Sequence, residues 1–228
     1  MKTIRDARAW SRVTSVFGTP RRPRAGPDGY WLWEGPADHQ RIDVHRADRT
    51  RLVLILPKAQ AVAWWLEVGA LPRDVATFAS PTPSEPRGLP LLRSLAGGAP
   101  IAFVGDLDPP ALVQFVETQR MAAPRVRVAY AGIDDSWLEL VEAASLVRSS
   151  QLERLLIALD PDERTLLAKL DRAIDLERLV GPRSAALLRS GLKLEIEGAT
   201  NPRLYGREHF RRLMKLIRAS ADRGSRAT

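Results

Sequence analysis

Gly105-Asp106-Leu107-Asp108-Pro109 sets two carboxylates one residue apart, where the apolar run APIAFVG gives way to a helix start. In open α/β sheets, ligands collect beyond the carboxyl ends of the strands. Two acids there suit a hard cation such as Mg²⁺, which takes oxygen ligands and keeps waters that a phosphate can displace. Gly105 lets the backbone turn tightly at that point. The same residues have a plainer use. Asp108 can cap the helix whose first turn holds Pro109 and Pro110, and Asp106 can be a turn residue. A second acidic pair, Asp134-Asp135, follows the next apolar run and can cap a helix starting at Ser136-Trp137. A third, Glu195 and Glu197 in KLEIE, occupies alternating positions, so both carboxylates share one side if that piece is extended.

The elements that must position these acids follow from periodicity. RLVLILP, from residue 51, is a continuous apolar run of strand length, as in a strand buried on both faces. QAVAWWLEVGAL has helical spacing, and DVATFAS reads as a second strand. PTPSEPRGLP is a loop, and LLRSLAGG is a short helix closed by glycine. APIAFVG is a third strand, DLDPPALVQFVETQR an amphipathic helix, and VRVAYAG a fourth strand. This alternation predicts an α/β core over residues 51–135, a four-stranded parallel sheet flanked by helices. Residues 1–50 read as a basic extension, in which TPRRPRAGP is followed by YWLWEG and RIDVHRA, a β-hairpin or edge strands. Residues 136–228 read as a helical region with a basic tail. Its helices are predicted over 136–149, 151–158, 161–179 and 182–192, with no further strand. DPDE at 160–163 has the form of an N-cap.

The charge is +8 over 228 residues, almost all of the positive part arginine, 30 Arg against 5 Lys. It is unevenly placed. Residues 1–51 hold 11 basic and 6 acidic side chains, residues 199–228 hold 8 and 2, and the middle holds 16 and 19. Basic flanks around a mildly acidic body suit a polyanion, because neutralising phosphates releases counterions. A solvated face and a frayed tail suit them equally. RRPR, with Arg21, Arg22 and Arg24, and REHFRRLMKLIR, with Arg207, Arg211 and Arg212, are the densest pieces. No cysteine is present, which excludes disulfides, thiolate metal sites and thiol catalysis. No apolar run reaches the length of a membrane span, and MKTIRDARAW lacks an apolar signal core, so a cytoplasmic protein is expected. Trp64, Trp65 and Trp137 offer apolar surface to a homodimer or to the core.

GDLDPPAL on the third strand resembles the strand-end DxD motif of Toprim domains, the fold shared by topoisomerases, primases and overcoming-lysogenisation-type nucleases. With the downstream LLRSGLKLEIE, the chain is similar to the C-terminal region of Wadjet JetD-type nucleases and their relative, the topoisomerase VI A subunit. The resemblance covers residues 51–133 and the KLEIE stretch. It implies a Mg²⁺-dependent nuclease acting on DNA in a defence or plasmid-clearance system. Asp106 and Asp108 would hold the metal, Glu197 and Glu195 would complete its shell, and partners would be DNA and a larger defence complex.

The departure from that pattern is at the first strand. Toprim enzymes usually carry a glutamate just after it, and this chain reads LILPKA there, with Lys58 the charged residue. A cation beside the acids opposes a second cation, and it can also contact phosphate itself. Residues before 51 are too few for a separate domain bearing a nucleophilic tyrosine. Two readings stand: a metal-dependent phosphodiesterase using Asp106, Asp108 and Glu197, or a catalytically degenerate Toprim-like module that binds nucleic acid or a partner protein. A domain for a small phosphorylated ligand is disfavoured, since neither GxxxxGK[ST] nor GxGxxG occurs.

Overall fold

The computed structural model describes residues 30–33, 42–45, 49–58, 61, 64–65, 68–80, 89–123, 126–144 and 151–226. Its centre is a mostly parallel mixed sheet flanked by helices. The parallel strands are β3 (Leu52–Leu56), β4 (Val75–Ala79), β5 (Ile101–Phe103) and β6 (Val128–Tyr130), which fall where the apolar runs place them. The sheet is larger than the expected four strands. β1 (Tyr30–Trp33) and β2 (Ile42–His45) pair antiparallel, and β2 then pairs antiparallel with β4. The strand order is β1-β2-β4-β3-β5-β6, so the β-rich N-terminal piece extends the same sheet. Arg21, Arg22 and Arg24 lie outside the described residues.

β3 is buried at every position because it is sandwiched. Leu52, Leu54 and Leu56 join a core with Trp65, Trp137, Leu213 and Ile217, while Val53 and Ile55 face Leu92, Phe103 and Phe115 on the other side. Trp65 and Trp137, offered by the sequence to a dimer or the core, are 1 % and 2 % exposed, so they are core. The helices around the sheet are α1 (Leu89–Ala96), α2 (Pro109–Ala122), α3 (Asp135–Ala144) and α9 (Arg207–Arg226). Between α3 and α9 come α4 (Gln151–Leu155), β7 (Leu156–Ala158), α5 (Pro161–Ala173), α6 (Leu176–Val180), α7 (Pro182–Arg189), β8 (Leu192–Leu194) and α8 (Ile196–Ala199).

This C-terminal region corrects the all-helical expectation. β7 and β8 form an antiparallel pair, Ile157 opposite Lys193. Residues 156–158 and Leu192 fall inside the predicted helices because each strand is short and flanked by helix formers, and a three-residue strand leaves almost no period-2 signal. The DPDE cap is present in full. Asp160 accepts from the Glu163 N–H at 2.8 Å, and the Glu163 carboxylate accepts from the Asp160 N–H at 3.0 Å. Among the described residues, no helix is long and apolar enough to cross a membrane.

Candidate functional site

Three registers bring the acids together. β3 and β5 are parallel with Ile55 beside Phe103, and Val104 N–H continues the ladder onto the Ile55 carbonyl at 2.8 Å. Three residues further on, that register sets Lys58 beside Asp106. An isolated antiparallel bridge then joins Leu107 to Leu194, with Leu107 N–H on the Leu194 carbonyl at 2.9 Å. It sets Glu195 across from Asp106 and Lys193 across from Asp108. Asp106 is locked further by the Ile196 N–H, which donates to its Oδ1 at 2.7 Å. The third register is α2 itself, since Asp108 Oδ1 caps it by accepting from the Ala111 N–H at 2.7 Å.

The strand ends approach closely enough that a glycine is required at position 132. Ile133 N–H donates to the Gly105 carbonyl at 3.2 Å, tying the β6–α3 turn to the β5–α2 turn. A Cβ on Gly132 would stand 2.7 Å from the Gly105 carbonyl oxygen and 2.9 Å from its nitrogen, both main chain and unable to yield. Gly132→Ala is therefore expected to cost about 2 kcal/mol or more in urea unfolding. Gly206→Ala, with nothing within 4 Å, should stay within about 0.5 kcal/mol and serves as control. Equal effects at both positions would refute this close approach.

The acids converge on an amine. Lys58 Nζ lies 2.8 Å from Glu197 Oε2, 3.0 Å from Asp106 Oδ2 and 3.4 Å from Glu195 Oε2. Burial alone would lower the Lys58 pKa, but the Glu197 and Asp106 carboxylates outweigh it and hold the amine well above its ordinary value. Asp106, 5 % exposed, is pushed up by burial, against the pull of the Ile196 N–H and Lys58. Both pKa values rise, for opposite reasons: burial favours the neutral carboxyl at Asp106, while the neighbouring carboxylates favour the charged amine at Lys58. Glu195 and Glu197 reach this point without being extended. Glu195 stands at the N-cap position of α8 and Glu197 in its first turn, which corrects the alternating-strand geometry expected of KLEIE.

Asp108 belongs to a second cluster. Its carboxyl is 8 % exposed and is pushed up to about 7 by burial and by the Asp106 charge, with the Ala111 N–H and Lys193 opposing. Lys193 Nζ pairs at 2.6 Å with Glu163 Oε1, and that contact raises the Lys193 pKa. The two carboxyls of the DxD motif are thus split: Asp106 pairs with Lys58, and Asp108 caps α2 within the field of Lys193 and Glu163. Asp134 caps α3 through the Trp137 N–H at 3.1 Å, and Asp135 holds the Arg183 and Ser184 N–H groups at 3.1 and 2.7 Å.

A divalent metal does not fit this donor set as it stands. Mg²⁺ needs oxygens at about 2.1 Å in near-octahedral array. Here the converging oxygens of Asp106, Glu195 and Glu197 are directed at an ammonium, and Asp108 is turned to its helix. Among the described residues, no group of three or more His, Cys, Asp or Glu side chains is disposed to hold a metal ion. Lys58, offered by the sequence as a phosphate contact, is committed to these acids. The pairing of Lys193 with Glu163 emerges only in the structure, since the sequence places Glu163 in the DPDE cap and Lys193 in KLEIE with nothing to join them. Neither a family model nor a curated protein matches this chain.

Proposed function

We propose that the chain is a nucleic-acid-binding module on a Toprim-like core, in which Lys58 compensates the acidic strand ends in place of a metal. The observation that carries this reading is the Lys58 ammonium within 2.8–3.4 Å of three carboxylates. Phosphodiester hydrolysis by metal-activated water needs an open coordination position there, and the ammonium stands in it.

The binding surface in this reading is α9. Phe210, Leu213, Met214, Ile217 and Ala221 bury one face of that helix, and Arg211, Arg212 and Lys215 are exposed on the other. Arg218 anchors the helix through Asp74 at 2.7 Å. Arg211 and Arg212 share Glu208 at 3.5 Å each, a surface contact weak enough for phosphates to replace. Such contacts fix affinity without reading bases.

Titrating a labelled 30-bp duplex at several salt concentrations tests this. Arg211→Glu/Arg212→Glu/Lys215→Glu is expected to weaken binding at least about tenfold and flatten the log–log salt slope by about 2–3. Supercoiled plasmid with Mg²⁺ or Mn²⁺ should stay intact. Metal-dependent nicking that disappears in Asp106→Asn/Asp108→Asn would replace this reading with the nuclease. Failure to bind DNA at about 20 mM salt, where phosphate contacts are strongest, would remove both.

A further inference from the structure

Among the described residues the sheet ends at β1 and at β6, and the β6 edge faces a cleft of about 820 Å³, separate from the acidic clusters. β6 is the last strand, and Val128, Ala129 and Tyr130 all line the cleft, so it runs along the strand rather than over one face. Its walls come from both sides of the sheet: Gln119 from α2, Ser220 from α9. Leu179 of α6 closes it further along. The slot therefore lies where the next strand would be, overhung by helices.

The main chain there is oriented for pairing. Ala131 N–H donates to the Phe103 carbonyl on β5 at 2.8 Å. Main-chain groups of a strand alternate in direction, so those of Val128 and Tyr130 turn outward into the slot. The Val128 carbonyl receives a long 3.4 Å hydrogen bond from Gln119 Nε2, a contact an incoming N–H can displace.

The rim carries both signs of charge, and among the described residues two of its arginines are unpaired. Arg127, Arg178 and Arg223 line it together with Asp134, Asp135 and Glu177. Those acids are committed: Asp134 and Asp135 to main-chain N–H groups, Glu177 to Arg189 at 2.6 Å. Among the described residues, Arg127 and Arg178 make no ion pair, and both are exposed.

We propose that this slot binds an extended acidic peptide segment of a partner protein, added beside β6 as a further strand. Main-chain hydrogen bonds would supply affinity, and carboxylates on alternate residues would meet Arg127 and Arg178. A second copy pairing β6 to β6 would drive the overhanging helices and two sets of arginines against each other. A nucleic-acid strand would satisfy the arginines but offers no donors and acceptors at strand spacing.

The test uses a fluorescein-labelled, end-capped (Glu-Val-Glu-Thr)₂ peptide, in which the carboxylates fall on alternate residues, its Lys-for-Glu counterpart and dT10, with amide exchange followed by NMR on the full chain. The Glu peptide is expected to bind saturably below about 1 mM and to slow exchange at Val128 and Tyr130 N–H. Arg127→Glu/Arg178→Glu should weaken it at least about tenfold with unchanged melting temperature, and the Lys peptide should not bind. Absence of saturable binding, equal binding of the Lys peptide, or protection away from β6 would overturn the proposal. So would dT10 competing with the same arginine dependence, which would make the slot a phosphate site. Because neither arginine is on α9, loss of DNA binding through that helix is read separately.

Discussion

Lys58→Met is expected to lower stability by about 3 kcal/mol at pH 8, a fall in melting temperature of roughly 6–12 °C for a chain of this size. The substitution keeps much of the stem and removes the charge. Asp106, buried and locked by the Ile196 N–H, is then left ionised beside Glu197 without a cation. Removing one partner of a buried pair costs more than the pair contributes, because the survivor is stranded. The lysine is one-third exposed, so the lower end of the range applies.

The sign with pH follows. Loss of the ammonium moves the Asp106 pKa further above its ordinary value, and a raised folded-state pKa contributes stability at low pH that is lost as pH rises. The gap between Lys58→Met and the parent should therefore be largest at pH 8 and shrink toward pH 4. Asp106→Asn introduced alongside Lys58→Met should recover most of the loss, since the amide is neutral and its oxygen can still accept from Ile196. A deficit that is flat with pH would assign Lys58 to stem packing instead. Recovery of divalent-cation binding in Lys58→Glu, read by calorimetry, would further indicate that the ammonium stands in a cation's place.

Much of this arrangement was legible in the sequence, and the part that was not has a physical reason. β3 and β5 announce themselves as apolar runs because both faces of a central strand are buried. The helix caps at Asp108, Asp134 and Asp160 are local, so spacing alone indicates them. The meeting of Asp106 with Glu197 was expected from resemblance, but what brings it about is a single bridge, Leu107 to Leu194, between segments far apart in the chain. No local pattern encodes such a register. For the same reason the pairing of Lys193 with Glu163 has no local signal, since it is set by β8, three residues long and hidden between two helices. Lys58 was legible as a departure from the Toprim pattern. Its effect, an amine on which three acids converge, needed the geometry.

The second large effect is at Asp108. Its folded-state pKa of about 7 lies roughly three units above that of an exposed aspartate. A group raised in this way stabilises the fold fully below about pH 4, and the contribution is lost as pH rises through 7. Ionised at pH 8, Asp108 then costs on the order of 2–4 kcal/mol. Asp108→Asn removes that charge and keeps an oxygen for the Ala111 N–H, asparagine being as good an N-cap as aspartate. The variant is expected to be more stable than the parent by about 2–4 kcal/mol at pH 8 and equal to it near pH 4, read by urea unfolding across that range. Asp108→Ala should sit about 1 kcal/mol below Asp108→Asn at every pH, the worth of the lost cap. If Asp108→Asn were instead less stable at pH 8, the charge itself would be in use, with Lys193 as its evident partner. A metal ligand must be deprotonated to bind, so a cation held at this site would favour the Asp108 carboxylate and make Asp108→Asn the less stable form when the cation is present. The stability of this one variant therefore bears on whether the DxD pair holds a cation or only the ends of two strands and a helix.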